Sequence, residues 1–127
     1  MYPVNKGLGG INGELVLNID FASGGNTVVT DLATTNSSEK IKITTLDDFI
    51  HEQNLKKVDF IKSDIEGAER DMLKGARGAL KEFAPKLALC TYHLPDDPDV
   101  MESLIKDANP NYKVVHINKK LFAACPK

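Results

Sequence analysis

An α/β layered sheet, mostly parallel with an antiparallel pair at its carboxyl end and a small β-hairpin region before it, is the fold class that three features of this 127-residue chain predict. From Ile41 onward, segments of strand pattern alternate with segments of helix pattern, the order of a layered α/β sheet. Lys86-Leu87-Ala88-Leu89-Cys90-Thr91 is almost continuously apolar, as a strand covered on both faces would be. Before Ile41, apolar residues recur in short period-2 runs between glycines, the pattern of antiparallel strands.

Leu15 to Phe21 alternates apolar and polar residues as a half-buried strand does. A Gly24-Gly25-Asn26 turn follows, and Thr27 to Thr30 is its expected hairpin partner. Lys40 to Ile43 is another short alternating strand. Thr44 or Thr45, with Asp47 or Asp48 three residues on, gives an Asp-substituted capping box that opens a helix over Leu46 to Gln53. Val58 to Lys62 is a compact apolar strand. Ser63 and Glu66 repeat the capping-box pattern and predict a helix running to about Glu82, with Ala68, Met72, Leu73, Ala76 and Leu80 on one face. Pro85 ends the connection to the apolar strand at 86–91. Asp97 then caps a helix with Pro98 in its first position, ending near Ala108 before Asn109-Pro110-Asn111. Tyr112 to Ile117 and Leu121 to Cys125 form a closing hairpin around Asn118-Lys119-Lys120. The division expected is a β-rich region over 1–40 and an α/β half-sheet over 41–127.

Hydrophobic residues make up 42% and charged residues 27%, so one globular domain is expected, burying roughly 65% of the surface of the unfolded chain. A net charge of -2 lacks the basic footprint of a dedicated nucleic-acid binder. No apolar run approaches the roughly 18 residues that span a bilayer, and Met1 to Gly10 lacks the blocks of a secretory signal, so a cytoplasmic location is expected. Cys90 and Cys125 lie in apolar surroundings without metal-site spacing and read as buried free thiols; a cytosolic setting disfavours a disulfide between them.

The chemistry concentrates where the strand at 58–62 delivers Asp64, Glu66 and Gly67 to its carboxyl end, the edge at which open α/β sheets bind ligands. A helix amino end stabilises negative charge, so ionised Asp64 and Glu66 can receive a cationic or hydroxyl-bearing ligand, or a metal. Gly67 allows close backbone approach. The plain alternative is that Ser63, Asp64 and Glu66 merely cap the helix. Tyr92-His93 follows the next apolar strand and should face the same edge. His93 is a candidate base or ligand-binding imidazole, with Asp64 or Asp96 holding one ring nitrogen, against the alternative of a merely hydrogen-bonded histidine. His51, on an expected exposed helix face, and His116, in the terminal hairpin, are read as having no catalytic role. Lys6-Gly7-Leu8-Gly9-Gly10 does not make a phosphate loop, because no apolar strand precedes it and no helix follows. A metal-dependent hydrolase built on Asp64, Glu66 and His93 lacks enough ligands at a recognisable spacing, so no metal site is expected.

Three runs share one signature: Thr45-Leu46-Asp47-Asp48-Phe49-Ile50, then Val58 to Glu69 with its Lys62-Ser63-Asp64-Ile65-Glu66-Gly67-Ala68-Glu69 end, then Met72-Leu73-Lys74-Gly75-Ala76. Together they resemble the FkbM-type family of S-adenosylmethionine-dependent methyltransferases. Tyr92-His93 with Pro95 and Asp97 is similar to a segment found in part of that family, and Leu121 to Pro126 resembles its closing strand. The resemblance implies a Rossmann-like class I methyltransferase sheet, of which this chain is the carboxyl-terminal half to two thirds. The first strand and the Gly-x-Gly turn that hold the cofactor are not found before residue 45. The expectation is therefore a fragment, inactive alone. By resemblance, the complete domain uses S-adenosyl-L-methionine and transfers methyl to a hydroxyl of a sugar, lipid or metabolite. Asp64, Glu66 and His93 then carry catalytic roles, Asp64 and Gly67 border the cofactor, and Glu66, Tyr92 and His93 meet the acceptor. A homodimer through the exposed edge of the strand at 58–62 is expected. The competing reading is a non-catalytic α/β module for oligomerisation or partner binding.

Overall fold

Two four-stranded sheets organise the computed structural model, which describes residues 3–20, 25–29, 37–65 and 67–126. The first sheet holds β1 (Gly7–Leu8), β2 (Gly13–Asp20), β3 (Gly25–Val29) and β4 (Ser37–Thr44) in the order β1-β4-β2-β3. β2 and β3 pair antiparallel from Val16 opposite Val29 to Asp20 opposite Gly25, as the alternating pattern predicts. Phe21, Gly24 and Thr30 of the expected hairpin lie outside the described residues. The strand expected to lead the α/β run, Lys40 to Ile43, sits instead inside β4, between β1 and β2. Its register explains the placement: Ile43 lies opposite Gly7 on one side and Gly13 on the other, and its side chain is buried there.

The second sheet holds β5 (Phe60–Ser63), β6 (Lys86–Cys90), β7 (Lys113–Ile117) and β8 (Lys120–Ala124) in the order β5-β6-β8-β7. The sheet is not mostly parallel as expected: among the described strands only β5 and β6 run parallel, while β8 pairs antiparallel with both β6 and β7, because the closing hairpin inserts its second strand beside β6. The closing hairpin turns through Asn118 and Lys119, both at positive φ (49° and 64°), the backbone that a two-residue turn of right-handed strands requires. β6 is not covered on both faces as its apolar run suggests. Leu87 and Leu89 are buried, but Lys86 is exposed and Ala88 half-buried, and Phe60, Val115 and Phe122 on the neighbouring strands are exposed too.

Helices α1 (Leu46–Gln53), α2 (Glu69–Lys74), α3 (Arg77–Glu82) and α4 (Asp97–Ala108) complete the described fold. Met72, Leu73, Leu80, Met101 and Ile105 from the helices meet Leu87, Leu89, Tyr112 and Leu121, and this is the core. Thr45 caps α1, its hydroxyl accepting from Asp48 N at 3.0 Å. The expected single helix from Ser63 to Glu82 is two helices, and the first begins only at Glu69. Ser63 caps nothing: it ends β5, and its buried hydroxyl finds no hydrogen-bond partner among the described residues. The break falls at Gly75-Ala76, where Gly75 O accepts from Asp47 N at 2.9 Å instead of serving the helix alone. A Cβ on Gly75 would lie 2.1 Å from Gly9 O, so only glycine lets the two segments meet. Among the described residues, no helix is long and apolar enough to cross a membrane.

Candidate functional site

β5 and β6 are parallel neighbours with Ser63 opposite Leu89, so the chain leaves both strands at one edge of the sheet. Asp64 and Tyr92-His93 therefore come together, although 28 residues separate Asp64 from Tyr92. Tyr92 Oη donates to Asp64 Oδ1 at 3.2 Å, and His93 Nε2 stands 3.4 Å from the same oxygen. The rings of Tyr92 and His93 are tilted against each other with centroids 4.2 Å apart. The Asp64 side chain is 51% exposed and that of His93 only 11%, so the carboxylate opens to solvent while the imidazole lies behind it.

His93 Nε2 comes near Asp64, one of the two carboxylates expected beside it; the other, Asp96, is engaged by Arg70. Glu66 lies outside the described residues. Sequence reasoning missed Glu69, which the structure brings into the cluster. Its side chain is 1% exposed, and Oε1 lies 3.9 Å from His93 Nε2. Oε2 accepts from Ile65 N at 2.7 Å and Oε1 from Gly67 N at 3.1 Å. These two bonds fold the segment between β5 and α2 around a carboxylate, the work the sequence assigned to a Ser63–Glu66 capping box. Gly67 adopts φ +99°, a backbone that glycine takes without a Cβ penalty, and a Cβ built there would meet only His93 Cβ at 3.7 Å. The signal that could have found Glu69 is the spacing: a carboxylate four residues past Ile65 and two past a glycine can reach back to both amides.

A second tie fixes the other loop. Arg70 Nε donates to Asp97 Oδ1 at 2.7 Å, and its terminal nitrogen bonds Asp96. Asp97 Oδ2 accepts from Leu94 N at 3.0 Å. Asp97 is thus the buried first residue of α4, not its cap, and Pro98 takes the second position of the helix instead of the first. The Arg70 guanidinium holds the Asp96 carboxyl below the usual carboxylate range.

Cys90, at the end of β6, is buried and free. Burial pushes its thiol up, and the nearby Asp64 carboxylate adds to the shift, so it is no nucleophile at neutral pH. Cys125 is likewise free, with its thiol raised by burial. His51 is exposed, and His116 meets Glu102 Oε1 at 2.7 Å on the surface, consistent with the plain reading of both.

The family model described as the methyltransferase FkbM domain matches residues 9–114. Among solved structures, the chain is similar to the crystal structure of methyltransferase FkbM from Methylobacillus flagellatus KT, with 26% identity and a TM-score of 0.63. That likeness covers 94% of this chain and 27% of the solved one, so the chain spans about a quarter of its solved relative. No curated protein matches the sequence.

Proposed function

The chain belongs to the FkbM methyltransferase family, and from that premise we propose that the elements from α1 to β8 form the acceptor-side half of a Rossmann-like methyltransferase domain that transfers methyl to a hydroxyl of a sugar, lipid or metabolite. The observation that carries the reading is the meeting of Asp64, Tyr92 and His93 where two parallel strands end, the edge at which layered α/β sheets bind ligands.

Methyl transfer to oxygen needs the hydroxyl aligned with the methyl carbon and its proton removed. In this reading that proton passes by way of the exposed Asp64 carboxylate to His93 Nε2, buried behind it and 3.4 Å from Oδ1, and Asp64 stabilises the imidazolium that results. Tyr92, half exposed, orients Asp64 through its hydroxyl. Glu66, in the same segment, completes the acceptor side in this reading.

S-adenosyl-L-methionine, when bound, supplies an electrophilic methyl group on a sulfonium. The described residues fit one flank of such a cation: the half-exposed Asp64 carboxylate offers opposite charge, and Gly67, without a side chain, allows close backbone approach. No described strand leads through a Gly-x-Gly turn into a helix, so the reading assigns the remaining contacts to parts of the domain beyond these elements.

Titration with S-adenosylhomocysteine, followed by amide chemical shifts, tests the assignment. The expected result is weak, millimolar-range binding with shifts centred on Asp64, Gly67, Tyr92 and His93. Saturating shifts elsewhere, or none at these residues, overturn it.

A further inference from the structure

We propose that Asp64, Glu69 and His93 form a divalent-cation site. Their ligand atoms lie within 4.8 Å of one another, with His93 Nε2 at 3.4 Å from Asp64 Oδ1 and 3.9 Å from Glu69 Oε1. A point equidistant from three atoms so spaced lies no more than about 2.4 Å from each, against roughly 2.0–2.2 Å for a first-row metal bound to nitrogen or carboxylate oxygen. Closing that gap takes a few tenths of an ångström, within a side-chain rotation of the half-exposed Asp64.

Charge argues the same way. Glu69 is buried, and a buried carboxylate is costly unless it is paired or ligates a metal. Two backbone N–H groups satisfy part of its need, but among the described residues no lysine or arginine reaches Asp64 or Glu69. Arg70, next in sequence to Glu69, is committed to Asp96 and Asp97. The cluster therefore presents two carboxylates and an imidazole to whatever cation enters.

One imidazole and two carboxylates make a mixed nitrogen and oxygen set, suited to manganese or zinc more than to the all-oxygen preference of calcium. The positions left open face solvent past Asp64, where a hydroxyl or vicinal diol of an acceptor can coordinate and lose its proton more readily, so that in the ion-bound form the metal, and not His93 Nε2, activates the hydroxyl. That use rests on the methyltransferase reading; the binding of the ion does not.

Titrating Mn²⁺ into the chain, with the free-ion electron paramagnetic resonance signal as readout, decides the matter. The expected result is one saturable site, weakened at least about tenfold by Asp64→Asn and by His93→Gln, each with an unchanged circular dichroism spectrum. Absence of saturable binding, or equal binding by wild type and both variants, overturns the proposal. Because this readout needs neither cofactor nor acceptor, Mn²⁺ binding without S-adenosylhomocysteine binding removes only the methyltransferase assignment, and the reverse removes only the cation site.

Discussion

Asp47, in the first turn of α1, caps a helix other than its own: its two carboxylate oxygens accept from Gly78 N and Ala79 N, each at 2.8 Å, at the start of α3. α3 has no side-chain cap from its own sequence, so this distant carboxylate satisfies two of the amides that a helix start leaves unpaired. Asp47→Ala should cost about 1–2 kcal/mol in urea unfolding, at the upper end for a lost cap because two donors are orphaned. An unchanged unfolding midpoint would remove the link.

Gly75→Ala should be more damaging than a helix-favouring substitution has any right to be. A methyl group there meets Gly9 O at 2.1 Å, so α2 and the Gly9 strand end must separate, at a cost of about 1–3 kcal/mol. A thermal midpoint equal to or above wild type would show that the close approach does not exist.

Cys90 reports on Asp64. Its thiol is raised first by burial and then by that carboxylate. In a Cys125→Ser background, thiol labelling near pH 8 should be slow, and Asp64→Asn should accelerate it, because removing the negative charge favours the thiolate. Equal rates would place Asp64 out of electrostatic reach.

Glu102 accepts from His116 and Lys106, and these bonds, His116 first, hold its carboxyl below the ordinary range. A depressed folded-state pKa gives stability that is complete above the unfolded value and is lost as pH falls through the folded one. The stability lead of wild type over Glu102→Gln at pH 6 should therefore shrink below about pH 4. A lead that is constant from pH 6 to pH 3 would contradict the sign.

Among the described residues, β5 has a strand neighbour on one side only, and Phe60 at its start is 57% exposed. Light scattering after size exclusion should show concentration-dependent association of this chain through that edge. A clean monomer at the highest soluble concentration would exclude it.

Much of the second sheet was legible from pattern. α1 spans Leu46–Gln53 as its cap and periodicity predict, α4 ends at Ala108, and the closing hairpin falls where Asn118 and Lys119 interrupt two apolar runs. What escaped was set by distant partners. Nothing local to Lys40-Ile41-Lys42-Ile43 says that Ile43 will lie between Gly7 and Gly13, and that pairing draws the strand into the first sheet. Nothing local to Ser63 says that its hydroxyl goes unused while Glu69, three residues past Glu66, gathers the loop amides. In the site, Asp64 and His93 could be paired in advance because parallel strands bring their carboxyl ends to one edge. Glu69 was harder to find, since the spacing of its carboxylate from Ile65 and Gly67 takes effect through a left-handed Gly67 that delays the helix.

Glu69 and Arg70 are adjacent on the first turn of α2, yet they hold opposite walls of the opening: Glu69 gathers the amides of Ile65 and Gly67, and Arg70 grips Asp96 and Asp97. The two walls therefore share one hinge post. Fraying of that single turn would release both ties together. Whatever binds across Asp64 and His93 has, in that turn, the place where its grip on the whole edge is set.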